Sequence, residues 1–172
     1  MKIGTKSLLF GIHQIFWHPY VVLRAWVYLY GRPSFKEMVC IFIHDWGYFG
    51  KPNLDGAEGS LHPMLGENIA HFLFGYEYSL LCAGHSRTYA EFVDIPPSKL
   101  CWADKLSFLF EPIWFYLLRA NLSGEMKEIR EGDYDVKPSE YATQKEWFKA
   151  TREYFKRQIP QSITNSRKLH RV

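Results

Sequence analysis

The sequence predicts one all-α domain, a compact helical bundle, over residues 1–172. Apolar residues make up 47% of the chain and aromatic residues 17%, which is enough for a dense core in a domain of this length. Signals that start and end helices flank the apolar stretches. No stretch shows the strict alternation of apolar and polar residues that is typical of a half-buried strand. We therefore expect helices packed on helices, without a sheet.

Helix-start signals divide the chain into segments. The dipeptides His18-Pro19 and His62-Pro63 favour a first helical turn, because proline suits the first position of a helix. A Ser-x-x-Glu capping box at 34–37 directly precedes an apolar run. We expect a core at about 17–119 and a polar tail at 160–172. The lead-in is predicted to be helical from about residue 6, and helices are predicted at 19–30, 35–45, 62–74, 77–91 and 99–118, the last with a bend at Pro112. Between the helices we expect a loop at 46–61 and, after them, a mainly irregular stretch at 121–138 with a helical turn at 125–130. A final amphipathic helix within 139–159 is expected to pack on the core.

The charge of the chain restricts the partners that we expect. The formal net charge is +3, and part of the excess lies in the tail at Arg167, Lys168 and Arg171. This balance is only mildly basic, so it does not indicate stable binding of nucleic acid.

Cysteine placement and hydropathy indicate a location. Cys40, Cys82 and Cys101 lie in apolar surroundings and form no Cys-x-x-Cys pair, which predicts reduced thiols in the core of a cytoplasmic protein. The stretch 7–30 is rich in apolar residues, but it also contains histidine, glutamine, proline and arginine, which would be costly to bury in lipid. We therefore expect no membrane span.

A histidine–aspartate pair, His44-Asp45, stands at the end of the apolar run 38–43 and precedes Gly47. Further histidines and an aspartate lie at the ends of other predicted helices or within them. Imidazole nitrogens and carboxylate oxygens are suitable ligands for iron, zinc and manganese. Four histidines and two aspartates exceed the needs of one tetrahedral zinc, but they suit two metal ions that share a bridging carboxylate in a helical bundle. The candidate ligands are His18, His44, Asp45, His62, His85 and Asp104.

The order of these residues resembles the HD-domain superfamily of metal-dependent phosphohydrolases. The family pattern is a first histidine, then His-Asp, then in many members two further histidines, then a distant aspartate. His62-Pro63 with Gly66 and Ala70 is similar to the His-x-x-x-Gly-x-x-x-Ala helix of that family. The segment 103–105 with Glu111-Pro112 looks like the final motif of the bacterial HD-domain dinucleoside tetraphosphate hydrolases. The resemblance covers about residues 17–112 and implies a bundle of the HD-domain type.

The resemblance implies a metal-dependent phosphohydrolase that acts on a nucleotide or another phosphate ester or anhydride through a dinuclear metal centre. Asp45 and Asp104 are the expected catalytic residues, because Asp45 would bridge the two ions and Asp104 would complete one of them. We expect two divalent or mixed-valence ions, with iron first and manganese, zinc or cobalt as alternatives. The candidate phosphate-binding residues are Arg87, Lys105 and Lys51. Many family hydrolases carry a Gly-Lys soon after His-Asp, whereas here Lys51 occupies a displaced position in the loop.

Two other functions stay open. The ligand set is also that of HD-fold oxygenases with a mixed-valence di-iron centre. Alternatively, a metal braces a non-catalytic interaction module, which would explain the aromatic richness as a partner surface. The residues leave a homo-oligomer open as well. Trp46, Tyr48 and Phe49 could either pack within the loop or line a pocket for a base or a sugar, and the sequence leaves both open. We expect structural or surface roles for His13, His71 and His170.

Overall fold

A computed structural model describes residues 1–132 and 134–159. Within those residues the protein consists of ten α-helices and three short 3₁₀ turns, with no strand, which confirms the all-α prediction. The predicted polar tail at 160–172 lies outside the described residues. The helices are α1 (Ile3–Phe10), α2 (Trp17–Tyr30), α3 (Phe35–Ile43), α4 (Pro63–Phe74), α5 (Tyr76–Ala83), α6 (Arg87–Phe92), α7 (Lys99–Ser107), α8 (Ile113–Ser123), α9 (Glu125–Glu131) and α10 (Gln144–Gln158), and the 3₁₀ turns are Trp46–Tyr48, Gly59–Leu61 and Pro138–Glu140.

The core is built around α2, which packs against α7, while α4 packs against α5. Val22, Ala25 and Trp26 of α2 are at most 1% exposed, and they contact Leu100 and Leu106 of α7 within one apolar cluster. Burial of such side chains contributes about 25 cal/mol per Å² of apolar surface. A second cluster joins α8 to α9 and α10, so the final helix packs on the bundle as predicted.

The cap of α3 is the predicted capping box. The Ser34 hydroxyl accepts a hydrogen bond from the Glu37 backbone, and the Glu37 carboxylate accepts one from the Ser34 backbone at 2.7 Å. Such a box satisfies two backbone donors that the first turn of a helix leaves without partners. The helix therefore begins where the sequence predicts, and it ends at Ile43, directly before the His44-Asp45 pair.

The single helix predicted at 77–91 is wrong, because the chain turns between α5 and α6. At Gly84 a Cβ atom would lie 2.9 Å from the backbone nitrogen of Ser98, so only glycine allows this approach. The Gly84 carbonyl accepts a hydrogen bond from that nitrogen at 2.9 Å. The Ser86 hydroxyl then accepts a hydrogen bond from Tyr89 and starts α6. The turn places His85 between two helices rather than inside one.

Three other boundaries also differ from the predictions. The segment predicted as one bent helix at 99–118 is two helices, α7 and α8, which flank Pro112. The lead-in helix begins at Ile3 and ends at Phe10, where Gly11 follows. Part of the stretch expected to be irregular is helical, because α8 continues to Ser123, and α9 confirms the turn predicted at 125–130.

The structure also bears on two expectations from the sequence, that the cysteines are core thiols and that no helix spans a membrane. Cys40, Cys82 and Cys101 are buried free thiols. Among residues 1–132 and 134–159, no helix combines the length and the apolar character that crossing a bilayer requires.

Candidate metal centre

The structure brings the six candidate ligands together at the ends and inner faces of five helices. His18 lies in the first turn of α2, and His62 directly precedes α4. His85 follows α5 in the turn before α6, and Asp104 lies within α7. Helix ends suit ligands because the chain changes direction there and can aim a side chain into the space between helices. The complete set is His18, His44, Asp45, His62, His85 and Asp104.

The carboxylate of Asp45 stands at the centre of this set. Its Oδ2 atom is 3.1 Å from Nε2 of His18 and 3.1 Å from Nε2 of His44. Its Oδ1 atom is 3.5 Å from Nε2 of His62 and 3.3 Å from Nε2 of His85. Each carboxylate oxygen therefore faces a different pair of imidazoles, which is the arrangement that a bridging carboxylate requires.

Asp104 completes one of the two faces. Its Oδ1 atom is 3.1 Å from Nε2 of His18, and His18, His44 and Asp104 form one group of potential ligands whose atoms all lie within 4.8 Å of one another. A second such group consists of His44, Asp45 and His85. Two atoms that each lie about 2.1 Å from one ion are about 3.0 Å apart at a right angle and about 3.4 Å apart at the tetrahedral angle. Three of the four contacts around Asp45, at 3.1–3.3 Å, fall within this range, and the fourth, at 3.5 Å, lies just beyond it.

Three of the histidines present the same nitrogen to the centre. Nδ1 of His44, His62 and His85 lies 2.7, 2.8 and 2.5 Å from the backbone carbonyl oxygen three residues earlier. A carbonyl oxygen only accepts hydrogen bonds, so each Nδ1 carries the proton and donates it. The lone pair of each neutral ring is therefore on Nε2, which faces Asp45. Hydrogen bonds of this kind orient metal-binding histidines and fix their tautomer.

Buried atoms without hydrogen bonds indicate what the centre fits. Nε2 of His18, Nε2 of His44 and Oδ2 of Asp45 are buried and have no hydrogen-bond partner among the described residues. Oδ2 of Asp45 lies 3.1 Å from each of the two nitrogens, but the angles of these contacts are not those of hydrogen bonds. A buried polar atom without a partner costs free energy, and a cation placed between these atoms would satisfy all three. The residues therefore fit a metal ion with nitrogen and oxygen ligands.

Burial and neighbouring charges favour the unprotonated, metal-binding forms of His44, His62 and Asp45. Burial lowers the pKa of His44, and burial with the neighbouring His85 lowers the pKa of His62 well below its ordinary value. Burial raises the pKa of Asp45, but the surrounding histidines, His44 first, outweigh burial and hold it well below its ordinary range. Burial also lowers the pKa of His18, but the carboxylates of Asp104 and Asp45 outweigh it and raise that pKa to about 10. Metal binding must therefore displace a proton from His18.

Glycine allows the close packing around the centre. At Gly47 a Cβ atom would lie 1.9 Å from the carbonyl oxygen of His62, so the chain after Asp45 passes directly against the start of α4. The ring of Tyr48 stacks on the ring of His62 with centroids 3.9 Å apart. Gly47 therefore allows the turn after Asp45 to pack directly against His62 at the start of α4.

The centre borders a cavity of about 220 Å³. Residues that follow position 133 form part of its wall, and they come from the stretch before α10 and from α10 itself. The aromatic residues of the lining are Tyr48, Phe108, Tyr116, Tyr134, Trp147, Tyr154 and Phe155. The ligands that reach the cavity are His18, Asp45, His62, His85 and Asp104.

The three candidate phosphate-binding residues lie in different places. Arg87 lines the cavity, and its guanidinium donates a hydrogen bond to Asp135 at 2.7 Å. Lys105 also lines the cavity, with its ammonium 5.4 Å from the centre of the Phe155 ring. Lys51 is not among the described residues of the lining, and its backbone carbonyl accepts a hydrogen bond from Gly4.

Sequence reasoning missed two features of the site. His13, expected to be structural or at the surface, lines the cavity and contacts Tyr48, with ring centroids 4.6 Å apart. Glu125 is fully buried beside it, 3.4 Å from Nδ1 of His13. The buried ion pair of Glu111 with Arg119, at 2.5 Å, also lies beside the cavity and was not predicted. No local signal around His13 could have indicated this arrangement, since Glu125 is far from His13 in the sequence.

Comparison of the chain with models of protein families, with curated proteins and with solved structures finds no match in any of the three. The class of protein is therefore defined by the fold and the site: an all-helical protein whose buried histidines and aspartates fit a metal centre beside a cavity.

Proposed function

We propose that the protein is a metal-dependent phosphohydrolase of the HD-domain type that cleaves a small phosphate ester or anhydride. The observation that carries the proposal is the position of Asp45, whose two oxygens face separate histidine pairs at 3.1–3.5 Å beside a cavity. Two ions would supply Lewis acidity for phosphoryl transfer to water when bound. In the reaction a water oxygen forms a bond to phosphorus, the ester or anhydride P–O bond breaks, and the leaving oxygen takes up a proton.

The residues of the chain have distinct roles in this proposal. When two ions are bound, Asp45 would hold both of them, and Asp104 would join His18 and His44 at one of them. The backbone hydrogen bonds of the histidines hold their Nε2 atoms in place, so that the centre requires little rearrangement. Lys105 contributes positive charge at the cavity wall for the phosphate group.

The cavity restricts the substrate class. Its volume of about 220 Å³ corresponds to roughly seven molecules of liquid water, and drug-sized ligands occupy roughly 300 Å³ or more. The aromatic residues of the lining suit a flat or apolar leaving group. A phosphate with one compact group fits this space, so simple phosphate esters are the first class to test and the larger mononucleotides the second.

The cavity also favours a catalytic metal site over a structural site whose metal only braces the bundle. A structural metal site is closed by protein ligands, whereas five of the ligand residues here reach the cavity. An oxygenase would use the same ligands with iron, so metal identity and oxygen uptake separate the two chemistries.

Metal content and a substrate panel test the proposal. Native protein is analysed for bound metals, and protein loaded with iron, manganese, cobalt or zinc is assayed on mononucleotides and simple phosphate esters. We expect about two ions per chain and release of phosphate that His44→Ala and Asp45→Ala abolish. His71→Gln is the matched control, since His71 is an exposed histidine on α4. No phosphate release from any substrate with any metal would refute the proposal, and substrate-dependent oxygen uptake by the iron form would establish the oxygenase instead.

A further inference from the structure

His13 faces the cavity from the loop that follows α1. Its side chain is 19% exposed, and it belongs to the cavity lining. Its ring centroid lies 4.6 Å from the Tyr48 ring and 5.3 Å from the His18 ring. The imidazole therefore stands beside the candidate metal centre without belonging to either ligand group.

A hydrogen-bond chain behind His13 fixes its tautomer. The Ser7 hydroxyl donates its one proton to the carboxylate of Glu125. The same hydroxyl oxygen lies 2.7 Å from Nδ1 of His13, so it accepts there, and Nδ1 is the donor. The nearer Glu125 oxygen, 3.4 Å from Nδ1, favours the same assignment. In the neutral ring the lone pair is therefore on Nε2.

The carboxylate at the end of this chain is held rigidly. Glu125 is fully buried, and it accepts hydrogen bonds from the backbone nitrogen of Ile12 at 2.7 Å and from the hydroxyl of Ser123. At Gly11 a Cβ atom would lie 2.2 Å from Oε2 of Glu125, so the loop passes directly against the carboxylate. The orientation of the His13 ring is thus determined by a buried network rather than by solvent.

We propose that His13 accepts, at Nε2, a hydrogen bond from the water that attacks phosphorus, and so orients that water. The proposal rests on the proposed function and adds a residue to it. Phosphoryl oxygens carry no proton to donate to a lone pair, whereas water does. His13 is then a catalytic residue that contacts the reacting water, and Ser7 and Glu125 are positioning residues that act through His13. Correct orientation of a reactant contributes strongly to rate, and a small misplacement can cost about 100-fold.

Two substitutions at His13 separate the cavity side of the ring from its buried side. Asparagine places an amide near the position of Nδ1 and can still donate to Ser7, but it offers nothing at the position of Nε2. Glutamine reaches further and can present an oxygen to the cavity. We expect His13→Asn to lower kcat about 100-fold with KM and metal content unchanged, and His13→Gln to recover part of the loss. His71→Gln is the surface control.

The tautomer provides a measurement that does not depend on activity. In zinc-loaded protein labelled with ¹⁵N, we expect the His13 spectrum to show a protonated Nδ1 and an unprotonated Nε2. A proton on Nε2 with none on Nδ1 would overturn the proposal even if the His13 variants fail to fold. Wild-type kcat in His13→Asn, or a rise in KM at unchanged kcat, would also overturn it while leaving the phosphohydrolase proposal intact. An inactive wild-type protein would instead be a failure of the proposed function.

Discussion

Metal bound at the candidate centre, as proposed, should raise the thermal stability of the protein, and at a fixed ratio of free ion to Kd the gain depends on the number of ions. Three buried polar atoms at the centre have no hydrogen-bond partner among the described residues, so an ion gains its full contacts only in the folded protein. An ion present at 100 times its Kd stabilises the folded state by about 2.7 kcal/mol, so two ions contribute about 5 kcal/mol. For a domain of this size, 1 kcal/mol shifts Tm by about 2–4 °C. The expected shift on metal loading is roughly 10–20 °C for two ions and half as much for one.

The substitution Asp45→Asn tests whether the two sites share one carboxylate. Asparagine keeps the shape of the side chain but replaces one carboxylate oxygen by an NH₂ group, which repels a cation. Because each oxygen of Asp45 faces a different histidine pair, we expect at least half of the metal-induced shift to disappear. Asp104→Asn should affect only the ion beside His18 and His44.

Thermal unfolding with and without a chelator, at matched ionic strength, measures these shifts. His71→Gln should keep the full gain, since His71 is exposed and distant from the ligand groups. The reasoning is refuted if metal loading leaves the wild-type Tm unchanged. A full wild-type shift in Asp45→Asn would show that the carboxylate does not bridge.

Further predictions concern packing, pH and the cavity wall. Gly47→Ala should reduce the free energy of unfolding in urea by about 1–3 kcal/mol, because the added methyl group meets the carbonyl of His62. The pKa of His18 is about 10 in the ion-free protein, so below pH 10 metal binding must release its proton. The apparent affinity for metal should then rise about tenfold per pH unit between pH 7 and 9. Calorimetry in buffers of different ionisation enthalpy should detect about one proton released per protein. A metal affinity that does not change with pH would contradict the raised pKa of His18. Asp135→Asn should free the half-exposed Arg87 from its ion pair and change the free energy of unfolding by less than about 1 kcal/mol. The freed guanidinium should lower the Kd for inorganic phosphate. Unchanged phosphate binding would show that Arg87 does not reach the phosphate.

Three of the candidate ligands, His18, His44 and His62, could be placed from the sequence because local signals mark the helix ends at which they lie. His18 and His62 each precede a proline, and His44 follows the helix that the Ser34 capping box begins. Such signals depend on neighbours within a few residues, and periodicity is sufficient to place them. The all-α class follows from the same local patterns.

Long-range contacts could not be predicted in this way. Ser7 and Glu125 are 118 residues apart, and Glu125 lies in a stretch that looked polar and irregular. Nothing in the spacing of either residue indicates that they meet behind His13. The break at Gly84 could not be predicted for a related reason: Gly84 packs against Ser98, the residue that directly precedes α7.

The position of the cavity wall has a consequence for how this protein can diversify. Every candidate ligand lies at or before Asp104, whereas Tyr134, Trp147 and Tyr154 form wall surface from the last part of the chain. In the proposed hydrolase, the last part of the chain would thus contribute to substrate selectivity without supplying a metal ligand. Substitutions after residue 133 would then alter which molecules are accepted while the ligand set stays unchanged.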